Sequence, residues 1–119
     1  MHTYNRANGN WSHNGELLGT GYSGNGPGLN NPAMSDVHDV GPIPAGTWFI
    51  SHPFVDPGKG PIVMRLTPVD GTETFGRGGF LIHGDNAAMD HTASEGCIIL
   101  PHDVRQAIAL SVDDELQVI

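Results

Sequence analysis

Apolar residues occur along the chain in short runs that are separated by turn-forming residues. The runs are four or five residues long and rich in β-branched and aromatic side chains, a pattern that favours strands over helices. From the middle of the chain onward they predict five strands: Thr47–Ser51, Ile62–Leu66, Phe80–His83, Cys97–Leu100 and Glu115–Ile119.

The first third of the chain is more polar and is punctuated by asparagine–glycine pairs. The pairs Asn8–Gly9 and Asn14–Gly15 are typical of hairpin turns, because both residue types tolerate a positive φ. Short strands around Trp11 and Leu17–Leu18 would flank the second pair. The stretch from Gly21 to Pro32 has too much Gly, Asn and Pro for a regular element, and we interpret it as a long ordered loop.

One helix is predicted near the C-terminus. Pro101 is well placed to start it, and Asp103 suits its first turn. Val104 and Ile108 give a helix that ends at Leu110 its apolar face. The pattern therefore predicts a mostly β fold of about seven short strands and one helix.

Composition narrows both the fold and the function. The 119 residues suit a single domain spanning residues 1–119; 17 glycines, 9 prolines and 15% charged residues are atypical of coiled coils and helical bundles. The net charge of −8 argues against nucleic acid and anionic membrane surfaces as partners. No apolar run could span a membrane, and the N-terminus lacks the features of a signal peptide. We therefore expect synthesis in the cytoplasm and no membrane insertion.

Candidate chemistry is concentrated between the strands that end at His83 and begin at Cys97. Cys97 is the only cysteine, so it forms no disulfide within the chain and contributes to no multi-thiolate metal site. If the two strands are neighbours, His83 could lower the pKa of the thiol and activate it as a nucleophile. The backbone N–H groups of Gly96 and Cys97 are candidate oxyanion donors. The alternative for Cys97 is a small buried hydrophobic residue.

The motif around these residues, His83–Gly84 followed by Ser94–Ile98, resembles the His-Gly…Ser-x-Gly-Cys signature of L,D-transpeptidases. Further segments resemble one branch of that family, the type VI secretion L,D-transpeptidase effectors, and they follow in the same order along about 80 residues. Those segments are Tyr22–Gly24, Asn30–Pro32, Gly41–Gly46, Phe75–Phe80, Ile82–Asp85 and Ala93–Ile98.

The resemblance implies an L,D-transpeptidase-like β-sandwich or barrel and a substrate, the tetrapeptide stem of peptidoglycan. Cys97 would attack the carbonyl of the L-centre of meso-diaminopimelate, with His83 as the base, and D-Ala would leave a thioester behind. Water as acceptor would make the enzyme an L,D-carboxypeptidase, and a D-amino acid would make it an exchange enzyme. No metal or other cofactor would be needed. The protein would be secreted by a type VI machine into the periplasm of a rival bacterium, and a cognate immunity protein would be expected.

The sequence also departs from the family pattern. Many L,D-transpeptidases have His where this chain has Glu95 and Arg where it has Ile99. Arg77 is our candidate to hold the substrate carboxylate in place of that Arg, because a guanidinium can bind a carboxylate bidentately; a solvated turn residue is the alternative. His91 could orient the substrate or act as the base, although His83 is favoured as the base because it follows an apolar strand and precedes the motif glycine.

The remaining predicted site residues have supporting roles. Asp85 could orient His83 or cap a turn. Ser94 could hydrogen-bond the loop or the substrate. The residues predicted to line a substrate cleft, besides Arg77, are Tyr22, Ser23, Asn31 and Gly84.

Two other function classes stay open at this point. The first is a metal-dependent peptidoglycan hydrolase that would use His83, Asp85, His91 and His102 as ligands. The second is a non-catalytic wall-binding module. The presence of both His83 and Cys97 argues against it, because a binding module has no need of this pair. The histidines other than His83 and His91 show no ligand spacing, and we expect them at the surface: His2, His13, His38, His52 and His102.

Overall fold

The computed structural model describes all residues, 1–119, and contains ten strands and one α-helix. The strands are β1 (His2–Tyr4), β2 (Asn10–His13), β3 (Glu16–Thr20), β4 (Tyr22–Ser23), β5 (Gly46–Ile50), β6 (Phe54–Asp56), β7 (Gly60–Pro68), β8 (Leu81–His83), β9 (Ile98–Ile99) and β10 (Glu115–Val118). The helix α1 spans His102–Leu110. The predicted mostly β fold with one short C-terminal helix is confirmed.

All seven predicted strands are present, and three further strands were missed. The missed strands are β1, β4 and β6, which have two or three residues each. The stretch from Gly21 to Pro32, interpreted as a loop, contains β4 and the 3-10 helix Gly26–Gly28. These segments lack an apolar run of their own and become strands because a neighbouring strand pairs with them.

The strands form one sheet in the order β3-β2-β1-β10-β5-β7-β8-β9-β4, with β6 paired to β7. The two ends of this order, β3 and β4, are separated in the chain only by Gly21, so the sheet must curl round until its edges meet. Gly21 donates its N–H to Gly9 O at 2.8 Å, and a Cβ at Gly21 would lie 1.8 Å from Ile99 O. Only glycine fits at this seam.

The predicted turn Asn14–Gly15 joins β2 to β3, and both residues have the positive φ that a tight hairpin requires, 50° and 86°. On the inside of the curled sheet, fifteen buried apolar residues form one core. Trp48 lies near its centre and contacts Phe80 edge to face, with ring centroids 5.2 Å apart. Val104 and Ile108 of α1 join this core, and the helix packs against β3 and β7.

His2 is wholly buried, which corrects the expectation of a surface position. Its ring stacks on His13 with centroids 4.1 Å apart, and its Nδ1 accepts a hydrogen bond from Trp11 Nε1 at 3.0 Å. Asp113 lies beside both rings, so the three side chains have the types of a metal site. However, the Trp11 bond uses the Nδ1 lone pair and leaves the proton of the neutral ring on Nε2, which is the wrong tautomer for ligation through Nε2. We therefore interpret the cluster as a packed polar corner of the fold.

No helix in the structure is both long and apolar enough to cross a bilayer.

Candidate active site

A cavity of about 480 Å³ lies at one end of β8 and β9 and is lined by both His83 and Cys97. The parallel register of these strands pairs Ile82 with Ile98 and His83 with Ile99. Because alternate residues of a strand face the same side, Cys97 and His83 share one face of the sheet, while Ile82 and Ile98 point into the core. The predicted proximity of the two side chains therefore follows from strand pairing.

His83 is held as a base by its own chain. Its Nδ1 donates to Gly84 O at 2.8 Å, so the neutral ring carries its free lone pair on Nε2. Nε2 is buried and has no hydrogen-bond partner. Burial lowers the pKa of His83 below its usual value, and the charges of Lys59 and Arg105 lower it further. The imidazole is therefore neutral near pH 7 and able to accept a proton at Nε2.

Asp85 does not orient His83, which corrects one of the two roles predicted for it. Its Oδ1 accepts hydrogen bonds from the Tyr22 hydroxyl at 2.7 Å and from the N–H of Asn86 at 2.9 Å. The carboxylate is thus engaged by its own loop and by β4. The backbone carbonyl of Gly84 fixes the histidine tautomer instead.

Cys97 is half-buried, and its thiol lies 3.9 Å from Gly79 O. Burial raises the pKa of the thiol, although the N–H of Leu81 and the charge of Lys59 act in the opposite direction. The expectation that His83 would lower the pKa of the resting thiol is therefore wrong. The site rests as a neutral thiol beside a neutral imidazole, so an attack of this thiol on a substrate would require proton transfer at the same time.

A resting thiol has a testable consequence. We expect the rate of Cys97 alkylation by iodoacetamide to rise about tenfold for each pH unit between pH 6 and 8.5, because the thiolate fraction rises tenfold per unit below the pKa. Mass spectrometry of the intact protein measures this rate, and the single cysteine makes the signal unambiguous. A rate that is flat over this range would show a preformed thiolate and contradict the neutral pair.

Ser94 builds the turn that presents Cys97. It is wholly buried, its Oγ donates to Cys97 O at 2.6 Å, and the same Oγ accepts the N–H groups of Gly24 at 2.9 Å and Gly96 at 3.1 Å. Ser94 is therefore positioned to hold the loop, the first of the roles predicted for it. The bond from Gly96 also corrects a prediction, because that N–H is no longer free for an oxyanion, whereas the N–H of Cys97 donates to no carbonyl or side-chain oxygen.

Gly96 has a φ of 135°, and a Cβ there would lie 2.6 Å from the Arg77 guanidinium and 2.7 Å from the Phe80 ring. Any side chain at this position would displace the residues that support the nucleophile. The glycine of the Ser-x-Gly-Cys turn is thus required by packing and by backbone conformation.

Arg77 is buried at the base of the cavity and does not have the role predicted for it. Its Nη1 donates to Ser35 O and Pro42 O at 2.7 and 2.8 Å, and its Nη2 donates to Gly41 O and Glu95 O at 2.9 and 3.1 Å. A bidentate grip on a substrate carboxylate would need these same donors. Arg77 instead ties the Gly41–Pro42 turn to the turn that carries Cys97, so both predicted alternatives, carboxylate holder and solvated turn residue, are corrected.

We expect Arg77→Met to lower the free energy of unfolding by at least about 3 kcal/mol, because several buried carbonyls lose their partner. Arg65→Met is the matched control: Arg65 is exposed and lies over the Phe54 ring 5.9 Å from its centroid, so its loss should cost less than about 1 kcal/mol. Urea unfolding measures both. Equal stability of the two variants, with a raised KM for Arg77→Met alone, would instead support carboxylate binding by Arg77.

The other predicted cleft residues lie outside the cavity that holds Cys97. Tyr22 belongs to β4, and its hydroxyl, whose pKa burial and Asp85 raise to about 12, accepts the N–H of Ala93. Ser23 is wholly buried and donates to Gly96 O at 2.9 Å, while Asn31 caps the turn at Ala33. These residues position the walls of the site, and the prediction that they line it is corrected.

His91 is exposed and packs edge to face on Tyr22, with ring centroids 4.9 Å apart. It borders a separate depression with Asp85 and His102, whereas His83 shares the cavity with Cys97. Geometry therefore favours His83 over His91 as the base. Of the ligands suggested for a metal-dependent hydrolase, His83, Asp85, His91 and His102, no three have ligand atoms within 4.8 Å of one another.

Three residues of the site were not foreseen from the sequence. Lys59 lines the cavity beside His83 and Cys97, and so does Asp39. Arg105 is buried in α1 and donates to Leu100 O at 3.0 Å and Pro61 O at 2.8 Å, which fastens the strand ends around His83. The apolar spacing of α1 does not indicate that Arg105 faces inward. The glycine at position 84 is consistent with it, because a Cβ there would lie 2.8 Å from the Arg105 guanidinium.

The fold and the cavity define a mostly β protein with a thiol and a neutral imidazole in one cleft. A family model described as the Tlde1 domain matches residues 19–117, more than four-fifths of the chain, and the chain belongs to that family. The resemblance to type VI secretion L,D-transpeptidase effectors is thereby confirmed. The family implies a type VI effector with L,D-transpeptidase-like activity and peptidoglycan as substrate, secreted to target cells. No curated protein and no solved structure matches the chain.

Proposed function

We propose that the chain is a cysteine L,D-carboxypeptidase and D-amino-acid exchange enzyme acting on peptidoglycan tetrapeptide stems, with residues 1–119 as one catalytic domain. The observation that carries the proposal is the shared cavity of Cys97 and His83, in which Nε2 of a neutral histidine is buried without a partner. A nucleophile and a base in one cleft are the two groups that thiol acyl transfer requires.

In the first half of the reaction, His83 Nε2 takes the proton of the Cys97 thiol as the sulfur attacks the L-centre carbonyl of meso-diaminopimelate. The C–N bond to D-Ala then breaks, and the imidazolium returns the proton to the departing amine. A thioester on Cys97 remains.

In the second half, water or a D-amino acid attacks the thioester, again with His83 as the base. Water yields the tripeptide, and a D-amino acid yields a new tetrapeptide. The developing oxyanion would accept hydrogen bonds from the N–H of Cys97 and from the N–H groups of Gly78 and Gly79. Gly78 and Gly79 line the cavity, and their N–H groups have no acceptor in the protein.

The reaction belongs in the periplasm of the target bacterium, because peptidoglycan lies there. A producing cell would then need a cognate immunity protein to protect its own wall. The net charge of −8 agrees with a protein partner and a peptide substrate, and it disfavours nucleic acid.

The test is mass spectrometry of purified disaccharide tetrapeptide after incubation with the protein, with and without D-methionine. We expect loss of D-Ala alone in the first case and additional replacement of D-Ala by D-methionine in the second. An unchanged tetrapeptide would point to a wall-binding module, and cleavage at another bond would overturn the assigned reaction. Activity that is lost in a chelator but kept after alkylation of Cys97 would favour a metal-dependent hydrolase.

A further inference from the structure

Lys59 stands in the turn between β6 and β7, and the local sequence explains its position. Asp56 Oδ1 accepts the N–H groups of Gly58 at 2.8 Å and Lys59 at 3.0 Å, which closes the turn. Gly60 follows with a φ of 83° and returns the chain into β7. Lys59 is thus presented on a tight, self-bonded turn at the rim of the cavity.

The ammonium of Lys59 is available for a ligand. The side chain is exposed, lines the cavity with His83 and Cys97, and forms no ion pair with any carboxylate of the protein. Burial is the main cause of the pKa shifts of His83 and Cys97, but the charge of Lys59 contributes to both, which agrees with a position near both groups.

The other four cations of the chain are engaged or lie elsewhere. Arg77 and Arg105 are buried and donate to backbone carbonyls. Arg6 donates to Ile119 O and to the Ser35 hydroxyl, and Arg65 lies over Phe54 outside the cavity. Lys59, the only lysine, is therefore the one exposed Lys or Arg side chain in a cavity that also holds the carboxylates of Asp39 and Glu95.

We propose that Lys59 binds the carboxylate of the D-amino acid that leaves and, in exchange, of the D-amino acid that enters; this inference rests on the proposed function. The amine that departs and the amine that attacks pass through the same position relative to the thioester, since one step is chemically the reverse of the other. A carboxylate one carbon away from that amine must then occupy the same place in both steps. Water carries no carboxylate, so hydrolysis of the thioester does not need Lys59.

The test is the partition of the thioester between D-amino acid and water at one fixed concentration of D-methionine. Both products form from the same intermediate in the same tube, so their ratio does not depend on how much enzyme is folded or active. We expect Lys59→Met to lower the ratio of exchange to hydrolysis by about tenfold or more, the loss typical of a charged hydrogen bond. Lys59→Arg, which keeps a cation, should keep the ratio within about threefold of the wild type.

A second arm removes the carboxylate from the ligand instead of the cation from the enzyme. With D-methioninamide as acceptor, wild type and Lys59→Met should give similar ratios. For release, the wild type should prefer a C-terminal D-Ala to D-alaninamide, and Lys59→Met should lose that preference. The comparison of D-Ala with D-alaninamide tests whether Lys59 binds the carboxylate even if the wild type only hydrolyses the thioester and performs no exchange.

The outcomes separate the two proposals. If the wild type releases no D-Ala, the proposed function fails and the role of Lys59 falls with it. If the wild type releases D-Ala but Lys59→Met keeps both the partition ratio and the preference for the free acid, the assignment of Lys59 alone is overturned.

Discussion

Cys97→Ala is expected to abolish release of D-Ala from disaccharide tetrapeptide, with a fall in rate of at least about 10⁴-fold, because it removes the only thiol of the chain and with it the proposed thioester intermediate. The variant should fold, since the side chain is half-buried and its bond to Gly79 O, at 3.9 Å, is weak. Liquid chromatography with mass detection measures the product, and a thermal melt confirms the fold.

Cys97→Ser is the informative companion to this variant, because a hydroxyl keeps the shape but is a far weaker nucleophile at a pKa far above 7. A rapid quench of the wild type with tetrapeptide should show the protein carrying an acyl group, and neither variant should show it. Full activity in Cys97→Ala would eliminate the thiol mechanism altogether.

His83→Asn is expected to lower kcat/KM by about 10²- to 10⁴-fold, the usual contribution of a general base. Asparagine can still donate to Gly84 O, so the loop should keep its conformation while the proton acceptor at Nε2 is lost. The pH profile gives a second readout. In the wild type, activity should fall as the pH drops below the lowered pKa of His83, and in His83→Asn this acid limb should disappear.

The matched control is His91→Asn. His91 is exposed and lies outside the cavity of Cys97, so this variant should stay within about threefold of the wild type. If His91→Asn lost activity and His83→Asn kept it, the roles assigned to the two histidines would have to be exchanged.

The sequence predicted that His83 and Cys97 lie in one site because both residues stand at the ends of apolar runs. The composition of runs such as Phe80–His83 is sufficient to indicate a strand. Pairing of the two neighbouring strands then places His83 and Cys97 on one face of the sheet. The glycine of the Ser-x-Gly-Cys motif, Gly96, indicated a turn immediately before Cys97. Strand existence and the position of the pair were therefore accessible without the structure.

The supporting residues were less accessible because their roles depend on pairing between distant segments. Arg77 bonds to carbonyls 35 to 42 residues earlier in the chain, which no local pattern reveals. Of the two roles predicted for Asp85, the orientation of His83 rested on closeness in sequence, but the hydroxyl that bonds to Asp85 is that of Tyr22, 63 residues away. Lys59 reaches the cavity only after β7 pairs with both β6 and β8, so no local pattern in the sequence places it there.

The place of β10 in the sheet has a consequence for the timing of folding. β10 lies between β1 and β5 and pairs parallel with β1 and antiparallel with β5. Through this pairing, the three strands β1, β2 and β3 join the rest of the sheet. Residues 115–118 must leave the ribosome before β1 and β5 can be joined through β10, whereas every residue that lines the cavity of Cys97 precedes them in the chain. Pairing of segments so remote in the chain is slow, and we expect the sheet to be completed late in folding.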